Sequence, residues 1–122
     1  MEKTKDYEIE VDGIKRVFRF HPVKWGQIAE MRDAVNAVAL PNGHVVDRLF
    51  DAIIGTIELL GADGNSLGIC KREELEALLN PYAMYDLVCA AVEYHETFCT
   101  AYPKSHNLIS VVKSFICAES LE

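Results

Sequence analysis

The sequence predicts an α+β, mainly helical fold: an N-terminal β-hairpin followed by four or five helices in one compact domain. Three observations predict it. An alternating apolar–acidic run straddles Asp12-Gly13. Apolar residues then recur at spacings of three and four from residue 23 onward. Proline and glycine interrupt that recurrence at intervals suited to helix–helix connections. The chain of 122 residues falls in the size range of one domain, with the hairpin at about 6–21 and the helical body at about 23–118.

The hairpin comes first. Tyr7-Glu8-Ile9-Glu10-Val11 has the period of two expected of a half-buried strand. Asp12-Gly13 suits the positive φ angles of a two-residue type I′ turn, and residues 14–20 form the return strand. That turn sets Val11 opposite Ile14, Ile9 opposite Arg16 and Tyr7 opposite Phe18. On the other face Glu10 then opposes Lys15, and Asp6 opposes Arg19. Two opposite-charge pairs arising from one register support that register.

His21-Pro22 ends the strand, because proline cannot donate to a ladder and suits a first helical turn. Ile28, Met31, Val35 and Val38 mark a helix over about 23–38, and Leu40-Pro41-Asn42-Gly43 breaks it. A second helix is expected over about 44–60, with Val46, Leu49, Phe50, Ile53, Ile57 and Leu60 as its stripe. Residues 61–68 read as a loop by composition. Short and long helices follow over about 71–79 and 82–101, separated by Asn80-Pro81. Tyr102-Pro103-Lys104 is a further break before a last helix over about 106–118.

The composition is globular, half hydrophobic and one quarter charged. A chain of this size buries roughly two thirds of its unfolded surface, so folding requires no metal, cofactor or disulfide. Twelve basic against nineteen acidic residues give a net charge of −7. The adjacent basic pairs, Lys15-Arg16 and Lys71-Arg72, both have acids close by, so direct nucleic-acid binding is not expected. The apolar stretches fall short of the roughly 20 residues of a membrane span. The charged start has no apolar core of a secretory signal, which predicts a cytoplasmic protein. Its four cysteines, Cys70, Cys89, Cys99 and Cys117, are then expected to be reduced.

Three patterns could carry chemistry. Asp63-x-Asn65-x-Leu67-Gly68, with Glu74 after it, resembles a calcium-binding EF-hand loop. Leu67 puts hydrocarbon where the third side-chain oxygen belongs, and the competing interpretation is an Asx-type turn leading into a helix. A weak Ca²⁺ site at Asp63, Asn65 and Glu74 is thus the alternative to no metal at all. His95 and Cys99 are spaced to share one helical face, but a structural zinc site needs four ligands and no C-x-x-C accompanies them. No G-x-S-x-G, Walker A or G-x-G-x-x-G motif occurs, and no cysteine except Cys70, beside a helix N-terminus, has a thiolate-stabilising setting. The expectation is a non-enzymatic protein with no catalytic residues.

The aromatic residues near the first junction point elsewhere. Phe18, Phe20 and Trp25 cluster within eight residues, with Tyr7 across the hairpin. They either seal the hairpin onto the helices or, with Val17 on the outer face, contribute to a partner-binding surface. A hairpin also has two open edges at which a partner strand can add.

The order of features, an E-I-E-V-D-G-I-K-R-V-F-R-F hairpin followed by P-V-K-W-G-Q-I-A-E-M-R-D-A opening a helical remainder, resembles tail assembly chaperones of tailed phages and prophages. The resemblance covers residues 7 to about 38 and the overall size. It implies an acidic assembly chaperone in the host cytoplasm that binds and solubilises a tape-measure or tail protein, with a second copy of the chain as a further candidate partner. The cysteines and residues 61–68 have no counterpart in that resemblance. The competing class is a small acidic inhibitor or immunity-type protein that blocks a host or phage protein by surface complementarity.

Overall fold

The computed structural model describes residues 4–36, 42–98 and 101–116. In chain order they form β1 (Lys5–Val11), β2 (Ile14–Phe20), α1 (Trp25–Asn36) and α2 (Asn42–Ile54). Then follow β3 (Ile57–Leu60), β4 (Ser66–Ile69), α3 (Arg72–Leu78), α4 (Pro81–Phe98) and α5 (Pro103–Ile116). The architecture is α+β and mainly helical, with five helices and one four-stranded antiparallel sheet in the order β1-β2-β3-β4.

The first hairpin has the expected register. Val11 faces Ile14, Tyr7 faces Phe18 and Asp6 faces Arg19. Asp12 and Gly13 take φ values of 55° and 81°, as a type I′ turn demands. Arg19 Nε donates to Asp6 Oδ1 at 2.8 Å, and this bond holds the Asp6 carboxyl below the usual range.

The segment 57–69 departs from expectation. The second helix does not run to residue 60 but stops at Ile54, and Ile57–Leu60 is a strand. Residues 61–68 are not simply a loop, since the last three of them belong to β4. Apolar positions at 46, 49, 50, 53, 57 and 60 fit a helical stripe, yet Ile57 is equally buried as a strand residue. Local and long-range forces decide between them. Gly55 costs roughly 1 kcal/mol in a helix interior, and Thr56 is β-branched. The free side of β2 meanwhile offers a row of backbone partners. Thr56 N and its hydroxyl both donate to Ile53 O, closing the turn, and His21 N donates to Thr56 O at 2.9 Å. Phe20 then pairs with Ile57, and Val17 with Leu60.

Alternation sorts the sheet into two faces. Tyr7, Ile9, Phe18, Phe20 and Ile57 point to the helices, and Phe18 is completely buried. Met31, Leu49, Ile53, Leu87, Val88 and Ile109 meet them from the helical side. Tyr7 stacks on Phe20 at 5.7 Å, Tyr94 tilts against Phe20 at 5.9 Å, and Tyr7 Oη donates to Asp86 on α4. The opposite face carries Asp6, Glu8, Arg19 and Glu58, with Val17 and Leu60 paired among them.

Prolines start two helices. Pro81 opens α4 behind Asn80, whose Oδ1 accepts from Ala83 N at 2.8 Å. Pro103 likewise opens α5 rather than preceding it, three residues earlier than expected. The break expected at 40–43 lies largely outside the described residues. No described helix is long and apolar enough to cross a membrane.

Candidate functional site

Among the described residues, a sheet of order β1-β2-β3-β4 has two unpaired edges, and they differ in chemistry. The β1 edge carries Lys5, Asp6, Glu8 and Glu10, and α4 packs near it through the Tyr7–Asp86 bond. Charge on an edge discourages indiscriminate pairing. The β4 edge, Ser66-Leu67-Gly68-Ile69, has no charged side chain and all four residues are exposed. Leu67 is 66% and Ile69 49% exposed. A register shift against Leu59/Leu60 and the positive φ of Gly68 (105°) bend the strand. Bending and shortness limit this edge without covering it.

A cleft of about 270 Å³ opens beside β4, where β2 ends and β3 begins. His21 Nε2 donates to Glu58 Oε1 across it at 2.6 Å. The Ser66 hydroxyl and then His21 hold the Glu58 carboxyl below its ordinary range, so Glu58 is a hydrogen-bonded anion. Lys24 and Gln27, at the start of α1, line the same cleft. Gln27 Oε1 accepts from Lys24 N at 2.6 Å, which turns the amide nitrogen of Gln27 away from that bond. A methyl group on Gly55 would come within 2.8 Å of this nitrogen, so glycine there leaves room for it.

The four partner-binding candidates separate. Phe18 and Phe20 are core residues, 0% and 1% exposed, and cannot touch a partner while the fold is intact. They seal the hairpin onto the helices. Trp25 does not join them: it opens α1 and is 74% exposed. Val17 is half-buried on the outer sheet face, opposite Glu8 and Leu60. The hairpin's two supposed open edges are also corrected, because β3 occupies the β2 side.

The calcium-like pattern is a hairpin turn between β3 and β4, not a loop between helices. Gly61 N donates to Asn65 O, and Asp63 spends both carboxylate oxygens on the backbone and side-chain nitrogens of Asn65. Those bonds, the backbone one foremost, hold the Asp63 carboxyl low. Glu74 instead accepts from Lys71 N at the start of α3. Among the described residues, no three His, Cys, Asp or Glu side chains gather in a group able to hold a metal ion.

His95 is wholly buried, with Nε2 3.2 Å from the Thr56 hydroxyl. Its expected neighbour Cys99 lies outside the described residues, as does Cys117. Neither Cys70 nor Cys89 is joined in a disulfide. Burial first, then Glu74 and Glu58, pushes the Cys70 thiol up to about 12, the reverse of what a nucleophile needs.

Sequence reasoning missed β4 and the His21–Glu58 pair. One signal was available: Asp63-Gly64 is the same turn dipeptide that marks the first hairpin. No protein-family model, no curated protein and no solved structure matches this chain.

Proposed function

We propose that this chain is a non-enzymatic protein-binding module that takes up an extended segment of a partner polypeptide along β4. The observation that carries this is an uncharged edge strand, exposed at all four residues, in a chain that is one quarter charged. Strand addition supplies main-chain hydrogen bonds for affinity and alternate side-chain contacts for selectivity, here at Leu67 and Ile69. Within that class we read it as an assembly chaperone of tailed phages or prophages, acting in the host cytoplasm on a tape-measure or tail protein. The support for this narrower reading is the resemblance over residues 7–38. An acidic surface keeps such a helper dissolved while it holds an aggregation-prone client.

The test is paired affinity capture from the native host, using the wild-type chain and a Leu67→Lys, Ile69→Lys double variant, with cross-linking to locate contacts. The expected result is a polypeptide partner cross-linked at β4 of the wild type and lost from the variant. Retention by the double variant, or no partner at all, overturns the proposal.

A further inference from the structure

We propose that the cleft beside β4 is a side-chain pocket of the strand-docking site, and that it takes one neutral carboxamide, asparagine or glutamine, from the bound segment. This rests on β4 being the docking edge and adds the side chain that the edge selects.

Position makes the cleft part of the edge. Ser66, Gly68 and Ile69 belong to β4, and all three line it. A segment added along β4 therefore passes beside the cleft whichever way it runs. The β4 side is bare at Gly68, where a Cβ would meet nothing within 4 Å. Gly55 and Thr56, where α2 gives way to β3, line the same space, as do Lys24 and Gln27 at the start of α1. The volume of about 270 Å³ lies below the roughly 300 Å³ at which pockets for drug-sized ligands begin, which suits a single side chain.

The chemistry of the lining selects against net charge of either sign. Glu58 is an anion and Lys24 a cation, so a charged guest meets a like charge whichever sign it carries. An apolar guest strips water from these groups and gives no hydrogen bond in return. Gln27 Oε1 accepts from Lys24 N at 2.6 Å, which leaves the two amide hydrogens on Nε2 as donors without a partner among the described residues. Glu58 takes hydrogen bonds from His21 and Ser66, and a carboxylate has about four acceptor sites, so it can accept another. A carboxamide serves both groups at once. Its oxygen accepts from Gln27 Nε2, and its nitrogen donates to Glu58 in a charge-assisted bond, the stronger kind.

The test selects short random peptides, blocked at both ends, on the intact chain. Selected peptides are expected to share one asparagine or glutamine. Replacing it by the matching acid, by lysine or by leucine is expected to weaken binding roughly tenfold, the worth of one charge-assisted hydrogen bond. Gln27→Glu keeps an oxygen for Lys24 N but exchanges the amide donor for an anion. That variant is expected to bind the lysine-substituted peptide better than the parent, reversing the order seen with the wild type. The Leu67→Lys, Ile69→Lys variant is expected to lose every peptide. Peptides that need β4 but tolerate all three replacements, or keep the same order on Gln27→Glu, overturn the carboxamide pocket and leave docking at β4 standing. Selection that yields no peptide, or peptides indifferent to the β4 substitutions, overturns both.

Discussion

The Thr56 hydroxyl and the His95 imidazole meet 3.2 Å apart inside the core, at the junction where α2 turns into β3. Thr56 spends its hydroxyl proton on Ile53 O at 2.6 Å, so it can only accept from His95. The ring therefore carries its proton on Nε2, and Nδ1 is a buried lone pair with no partner among the described residues. Burial pushes the His95 pKa down to about 4.

A pH dependence follows with a definite sign. The unfolded chain takes up a proton at His95 near 6.5, whereas the folded chain resists until about 4. Stability is thus unaffected by this group above 6.5 and falls as pH drops through the window below it. The loss by pH 4 is about 3 kcal/mol. Urea unfolding at a series of pH values measures it, against a His95→Gln variant in which this slope between pH 6.5 and 4.5 is expected to vanish. An identical slope in the variant would assign the effect to other groups.

Phe18 and Trp25 are expected to behave oppositely although both belong to the same sequence cluster. Phe18→Ala empties a fully enclosed site and should cost roughly 3–5 kcal/mol. Trp25→Ala removes a side chain that is 74% exposed and should stay within roughly 0.5 kcal/mol. Chemical denaturation of the two variants gives the comparison, and a large loss at Trp25 would contradict its placement.

Calcium is expected to leave the chain unchanged. The Asp63 oxygens close a β-turn onto Asn65, and Glu74 closes the first turn of α3. Thermal unfolding with and without about 1 mM Ca²⁺, a concentration at which even weak calcium modules fill, should give the same midpoint. Asp63→Ala, by contrast, should lower stability modestly in either condition, through loss of the turn bonds. A calcium-dependent rise in the midpoint that Asp63→Ala abolishes would reverse this assignment.

Much was legible where neighbours in sequence determine structure. The β1–β2 register follows from turn chemistry and cross-strand charge, both local. The start of α4 follows from Asn80 and Pro81 at first-turn positions, whereas α5 begins at Pro103, which the sequence marked only as a break. Segment 57–69 was not legible in the same way, because Ile57 and Leu60 suit a helical stripe and a buried strand alike. Aromatic clustering in sequence was also a poor guide to clustering in space. Phe18 and Phe20 alternate with outward residues on a strand, while Trp25 starts a new helix whose rotation puts it in solvent.

The sequence by itself determined the fold class, the first hairpin down to its residue pairs, the rough helix succession and the acidic surface. Each depends on periodicity, turn residues or charge count, which act over a few residues. Only the tertiary structure decided that the hairpin continues into a four-stranded sheet, that β4 is its bare edge, and that His21, Lys24 and Glu58 share a cleft. Those outcomes depend on backbone pairing between residues some forty positions apart, such as Val17 and Leu60. Which strand finds the open side of β2 is settled by the shape of the assembled core.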